Sequence, residues 1–335
     1  MNSKKIIALG ELLIDKVNLE NGSNINLIGG APLNFICAAR KRVKPCYYIT
    51  GLTNDLSNYN FEKIIKKERI DLTYSKIIDS LEVAYTKVDV DKNTGERHFS
   101  FNLNNAPFLS IKPNDLKEEY FKDLSLLHIG TVALLNENFI ELQKLACHYA
   151  KKYNALISFD PNFRDKLFDV NHQVSLSKLF LPLIDILKVS EEELGFLTEK
   201  EGNLNDKIQS LFDQYKNIKL ILLTRGEKGL ELHLTNSIVL YQPAIKPKQI
   251  IDTIGCGDVT FGTFVGSLTY LNKENKNISQ LNLGIYEEAL LYASIAGSLT
   301  CEHQGALPTP TKLMLQSQKE KAQKEMINNL KDLIK

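Results

Sequence analysis

Tryptophan is absent from this 335-residue chain, which carries only three methionines and five cysteines. Cys37, Cys46, Cys147, Cys256 and Cys301 are odd in number and never fall into CxxC spacing. That pattern argues against a disulfide framework or a thiolate zinc site and suits a reducing cytosol. An excess of one charge is missing too: 41 Lys and Arg against 40 Asp and Glu leave a net charge of +1. Without a block of like charge there is no electrostatic footprint for nucleic acid or an anionic membrane. The lysine-rich residues 312–335 are interspersed with Glu, Gln, Leu and Ile and read as a solvated amphipathic helix. No apolar run approaches the roughly 18 residues of a membrane span. The run that follows Lys4 and Lys5 meets Glu11 after about five residues, too short for the core of a signal peptide. A soluble cytoplasmic protein is expected. Several catalytic templates are missing as well: there is no GxxxxGKS or GxxxxGKT phosphate loop, no HExxH and no GxSxG.

What is present is an alternation of short apolar runs and amphipathic stretches. Strand-like runs fall at residues 6–9, 47–49, 124–128, 155–159, 185–189 and 220–224. Helical spacing falls at 32–40, 61–68, 137–153, 176–181, 191–197 and 208–215. Such alternation predicts an α/β fold with a mostly parallel central sheet covered on both faces. Residues 83–90 and 98–103 break the rhythm: both are strand-like, and the turn DKNTGE between them makes an antiparallel hairpin. Residues 12–27 likewise lack a helical pattern. These excursions predict a small β-sheet, a natural lid. The last third reads as helices at 258–271, 287–300 and 313–334. With no internal repeat or Pro/Gly/Ser linker, one domain spans 1–335, its lid formed by residues of about 12–28 and 80–106.

Residues 250–264, IIDTIGCGDVTFGTF, concentrate three glycines, one cysteine and two aspartates. If a helix starts near Cys256, the N–H groups of Gly255, Cys256, Gly257 and Asp258 have no intrahelical partner. With the positive end of the helix dipole they make a site for an anion. Asp258, in the first turn, is held as a carboxylate and is ready to accept a proton. A base beside an anion hole fits phosphoryl transfer to an alcohol. Two other readings stay open at this point. Cys256 is a nucleophile if a base orients it, although the six histidines are scattered with no Cys–His context. The glycine-rich turn is otherwise purely structural. Gly262 and Gly266 leave one helix stripe bare, for another backbone or for a nucleotide.

DTIGCGD resembles the carboxy-terminal signature Asp-Thr-x-Gly-Ala-Gly-Asp of the ribokinase-like (PfkB) carbohydrate kinase family. It matches at Asp252, Thr253, Gly255, Gly257 and Asp258, with Cys256 in place of alanine. GELLID at 10–15 resembles the family's opening strand, and GGAPLNFICA resembles its Gly-Gly-x-x-x-Asn signature. HIGTVALLNE, ISFDPNFR, LKVSEEELGFLT, LTRGEKG and GALPT follow in the order of the fructokinase-type sugar kinases, so the likeness runs over residues 10–309. The resemblance implies a ribokinase-like three-layer fold and ATP-dependent phosphorylation of a sugar's primary hydroxyl, with fructose to fructose 6-phosphate the best match. Kinases for another sugar or a nucleoside, and a non-catalytic sugar- or nucleotide-binding protein, are the alternatives.

By this resemblance Asp258 is the base, and Gly255, Cys256 and Gly257 supply the anion hole. Asp15, Gly29, Gly30 and Asn34 contact the sugar, joined by Asn104, Asn162 and Arg164. Ser190, Thr224, Gly226, Gly229 and Ser294 belong to the ATP site. Glu193 serves Mg²⁺ through water, and Asp252 with the carbonyl of Ile254 borders a K⁺ site. A homodimer paired through the lids is common in the family. On the residues alone, Asp15 and Asn34 are turn or cap residues and Glu193 is one of a solvated acidic run; order along the chain reverses that. His128 stays a core histidine. The sequence also departs from the pattern. Leu103 stands where an arginine is usual, which turns against acidic substrates such as 2-keto-3-deoxygluconate. GLTNDLSNY lacks the glycines usual around Asp55, and Ser190 and Ser294 replace asparagines.

Overall fold

The structure, a computed structural model, describes residues 5–18, 24–79, 81–90, 97–103, 106–130, 136–164, 168–274 and 277–334. The chain opens with β1 (Lys5–Leu9), β2 (Leu13–Asn18), β3 (Asn24–Gly29), α1 (Ala31–Arg40), β4 (Cys46–Ile49) and β5 (Gly51–Leu52). Next come α2 (Phe61–Glu68), β6 (Lys76–Ile77), β7 (Tyr85–Val90), β8 (Arg97–Asn102), β9 (Leu124–Gly130) and α3 (Glu137–Lys152). After these lie β10 (Leu156–Asp160), α4 (Val170–Lys178), β11 (Ile186–Ser190), α5 (Glu191–Leu197), α6 (Leu204–Gln214) and β12 (Leu220–Thr224). Finally β13 (Leu230–Leu234) and β14 (Val239–Gln242) lead to α7 (Cys256–Leu271), α8 (Leu283–Thr300) and α9 (Lys312–Ile334).

Among the described residues, eight strands form the central sheet in the order β14-β13-β12-β11-β10-β9-β1-β4. From β12 to β4 every pairing is parallel, and β13 and β14 extend it as antiparallel neighbours. Alternate residues of a strand face opposite sides, so a parallel sheet needs apolar cover twice. Ile7, Leu9, Leu127, Ile157 and Leu187 pack under α3, α5 and α6. Ile6, Ala8, Leu126, Ile186 and Leu222 pack under α1, α7 and α8. The layers are helix, sheet, helix. β1 lies at the point where strand order reverses, with β4 on one side and β9 on the other. In open α/β sheets ligands gather beyond the carboxyl ends of the strands at such a point.

β3-β2-β7-β8 make a separate four-stranded sheet, antiparallel except for the β2–β7 pairing. The expected hairpin is the β7–β8 pair, running from Tyr85 opposite Asn102 to Val90 opposite Arg97; its DKNTGE turn lies outside the described residues. Two helices begin earlier than the apolar spacing suggests, because polar caps set their starts. Asp169 accepts from the N–H of Asn171 at 2.8 Å and starts α4 six residues ahead of the expected 176–181, where only a short 3-10 turn (Leu181–Leu183) follows. Asn282 accepts from the N–H of Gly284 at 2.9 Å and starts α8.

α7 is buried continuously from Asp258 to Leu268, as a helix apolar on every side must be. Its bare stripe faces a helix. A Cβ on Gly262 would lie 2.2 Å from the carbonyl oxygen of Phe35, and one on Gly266 would lie 2.8 Å from the Cα of Ala39. Those glycines bring α1 against α7; no room for a nucleotide is left there.

Candidate active site

The carboxyl ends of β1, β10, β11 and β12 and the amino termini of α1, α5 and α7 converge on one side of the sheet. Gly255 precedes α7 with φ 73°, a left-handed conformation that glycine tolerates. A Cβ there would also meet that of Ala306 at 2.3 Å. The tight turn engages one of the expected donors: the N–H of Cys256 bonds to the carbonyl of Thr253 at 3.2 Å. This is a correction to the sequence reading, which counted Cys256 in the anion hole. Gly255, Gly257 and Asp258 are left as the residues whose N–H groups the turn can present.

Asp258 is 8% exposed, and its carboxylate is gripped from two other elements. Asn34 on α1 donates to Oδ2 at 2.9 Å, and Asn162 after β10 approaches Oδ1 at 3.5 Å. Asn162 holds φ 45°, and its N–H bonds the Asp160 carboxylate at 3.1 Å in a tight turn. Burial pushes the Asp258 carboxyl up, while Asn34, Arg164 and Lys188 pull it down; the balance stays above the usual aspartate value. The group is therefore a better proton acceptor than a solvated aspartate.

Asp15 on β2 accepts a short hydrogen bond from Thr86 Oγ1 of β7. Burial raises its carboxyl too, with Arg164 opposing. Gly29 and Gly30 keep the floor open: a Cβ on Gly29 would lie 2.8 Å from Asp15 Oδ2, and Gly30 has φ 114°. The exposed side chain of Arg164 supplies positive charge to Asp15, Asp258 and Glu11. Asn104 lies outside the described residues.

Ser190 and Glu193 form a capping box at the start of α5, and Glu193 is buried rather than part of a solvated run. Its Oε2 takes the N–H of Ser190 at 2.7 Å and Lys188 at 3.5 Å, and its Oε1 takes the N–H of Phe163 at 3.1 Å. At the carboxyl end of β12, Thr224 Oγ1 bonds the carbonyl of Val189 at 3.4 Å. Gly226 and Gly229 both hold positive φ in the turn between β12 and β13. Ser294 on α8 accepts from the N–H of Ile245 at 3.0 Å and donates to the carbonyl of Pro243 at 3.2 Å, so its hydroxyl ties down a loop. Asp252 accepts from Ile254 N at 3.0 Å and Gly305 N at 2.9 Å.

Sequence reasoning passed over two charged residues here. Lys188, 6% exposed, bonds Asp160 at 3.1 Å, and its Nζ lies 3.6 Å from where a Cβ of Gly257 would stand. Burial alone would lower its pKa, but Asp160, Glu193 and Asp258 raise it, so a fixed positive charge faces the glycine turn. Asp160 is pushed up by burial and pulled down by Lys188; at this separation the ion pair is the state the geometry holds. Glu11, 1% exposed, has one carboxylate oxygen with no partner among the described residues, and burial raises its pKa to about 7. Each carried a signal: a lone charge inside or just beyond an apolar run, LKVS and LGELL. His128 behaves as expected, stacked on Phe35 at 3.6 Å and neutral, its pKa lowered to about 3 by burial.

The pattern of the pfkB family carbohydrate kinases matches residues 4–312. A probable fructokinase-5 from Arabidopsis thaliana is 29% identical over 315 residues, covering 92% of this chain and 94% of that protein. Among solved structures, a fructokinase from Xylella fastidiosa with bound ATP superposes with a TM-score of 0.81 at 22% identity, over 96% of this chain and 99% of that one. A double mutant of fructokinase from Vibrio cholerae, bound to fructose, ADP and potassium ion, gives 0.81 at 23% identity, over 95% and 99%. These two likenesses establish the ribokinase-like fold. With its signature glycines and Asp258 gathered at the head of α7 and the family pattern spanning nearly the whole chain, the protein belongs to the pfkB family of carbohydrate kinases.

Proposed function

We propose that the chain is an ATP-dependent kinase of a neutral sugar and that it converts fructose to fructose 6-phosphate. The observation that carries the reading is the buried Asp258 carboxylate, held by Asn34 beside the glycine turn of α7. Asp258 takes the proton of the attacking primary hydroxyl. The N–H groups of Gly255 and Gly257, with the dipole of α7, stabilise charge on the transferred phosphoryl group. Asp15, Gly29, Gly30, Asn34, Asn162 and Arg164 receive the sugar, with Asn104 as a further hydroxyl contact. ATP lies along Thr224, Gly226 and Gly229, near Ser190 and Ser294. The four-stranded sheet is the lid of a single domain spanning residues 1–335, and lids of two copies pair in a homodimer.

Among the described residues no group of three His, Cys, Asp or Glu side chains is arranged to hold a metal. Mg²⁺ keeps several waters and binds chiefly through substrate phosphates. Glu193 and Asp160 offer hard oxygen donors for its water shell; when bound, the ion neutralises charge on the phosphates. Asp252 and the Ile254 carbonyl border the proposed K⁺ site.

Relatives named fructokinase and Leu103 in place of an arginine support fructose over an acidic sugar. ADP formation with fructose, glucose, ribose, 2-keto-3-deoxygluconate and adenosine tests the reading. The highest kcat/KM belongs to fructose. Faster turnover of another compound overturns the substrate, and no turnover with any sugar overturns the kinase.

A further inference from the structure

Cys256 is the first residue of α7, and Cys301 caps the carboxyl end of α8. Their Sγ atoms lie 3.1 Å apart. Cys37, Cys46 and Cys147 are buried, whereas these two are half-buried. Cys256 stands between the two glycines of the anion-binding turn and two positions before Asp258. The carbonyl of Cys301 already accepts from Ile251 N at 2.8 Å and Asp252 N at 3.3 Å, so the end of α8 is tied to the segment leading into that turn.

We propose that Cys256 and Cys301 form a redox modification site, a vicinal dithiol in space that a low-molecular-weight disulfide closes into a bond and thereby switches the kinase off. The sulfur of Cys301 attacks one sulfur of the small disulfide and releases one thiol. The sulfur of Cys256 then attacks Cys301 Sγ in the mixed disulfide and releases the second thiol. The two protein thiols lose two electrons and two protons, and the small disulfide gains both, leaving as two thiols. Burial, the Cys301 thiol and the carboxylates of Asp252 and Asp258 push the Cys256 thiol well up, which slows its attack on any free solute, so its part is the closing step, where Cys301 Sγ stands 3.1 Å away.

Bond formation must draw the two sulfurs together from their present separation. α7 is buried on all sides and cannot follow as a body, and Gly255 already abuts Ala306. The movement falls on the turn at residues 253–257. Donors in such a hole act only when well placed, and a misplacement of about 1 Å costs on the order of a hundredfold in rate.

The test treats the reduced full chain with oxidised glutathione and follows free thiols, the mass of disulfide-linked peptides and ADP formation with the sugar that the substrate panel identifies. The expected result is a peptide linking Cys256 to Cys301, a loss of activity of at least about tenfold, and recovery with dithiothreitol. Cys301→Ser and, beside it, Cys301→Ala retain the activity of the reduced protein and resist the oxidant. Absence of the linked peptide overturns the proposal, as does a linked peptide with unchanged activity. Equal inactivation of a Cys301 variant also overturns it. The activity readout rests on the kinase reading; a reduced protein without turnover refutes that reading, while the linked peptide is scored regardless.

Discussion

At the head of α7, the side chain that stands out in the sequence and the one on which the proposed chemistry rests are different residues. Cys256 has its N–H bonded to Thr253 and its thiol raised, while Asp258 two positions later is gripped by Asn34 and left basic by burial. Cys256→Ala in reducing buffer is therefore close to neutral, with kcat within about twofold of the parent; a small hydrophobe replaces another. A large loss would restore the thiol to the mechanism. Lys188 makes the opposite case. Lys188→Met strips the counter-charge from Asp160 and Glu193 and costs about 3–5 kcal/mol of stability. Combining it with Asp160→Asn recovers part of that loss in urea unfolding. If the double variant is no more stable than Lys188→Met alone, the ion pair is not what Lys188 is buried for.

The elements most legible from sequence are those with a simple period. Strands β1, β9, β10, β11 and β12 are nearly continuous apolar runs because both faces of the sheet are covered. β13 and β14 were not anticipated: the exposed-intermediate alternation of β14 marks an edge strand, and its signal is weak without knowing its partner. α4 and α8 were misplaced at their starts because caps, rather than apolar spacing, set them. In the candidate site, the order of motifs along the chain singled out Asn34 and Asp258, which the fold brings within 2.9 Å of each other, and Asp15. The site was illegible where a charge gains meaning only from its neighbours, as at Glu11 and Lys188. The small residues on α7 sat between these cases, and the contact with α1 resolves them. Gly262→Ala places a methyl against the Phe35 carbonyl and destabilises by about 1–3 kcal/mol, read as a lower urea midpoint. An unchanged midpoint would mean that α1 and α7 do not pack this closely.

For the whole molecule, a charge buried at the centre leaves its mark on stability. The Glu11 carboxyl titrates near 4.5 when unfolded and at about 7 when folded. Below that window it is protonated in both states. Within it the unfolded chain releases a proton that the folded chain keeps, so stability falls as pH rises and then levels off above about 7. At about 1.4 kcal/mol per pH unit the loss is about 3 kcal/mol. Glu11→Gln removes this dependence, and its Tm relative to the parent rises across the window; a flat difference contradicts the assignment.

The fold, the glycine turn and the family pattern meet in one chemical claim, that Asp258 is the base of a sugar kinase. Its most direct measurement is ADP formation by Asp258→Asn with saturating fructose, alongside ATP binding by the same protein. The account predicts a kcat lower by about 10²–10⁴ with ATP affinity nearly intact; a variant that keeps most of its turnover contradicts it.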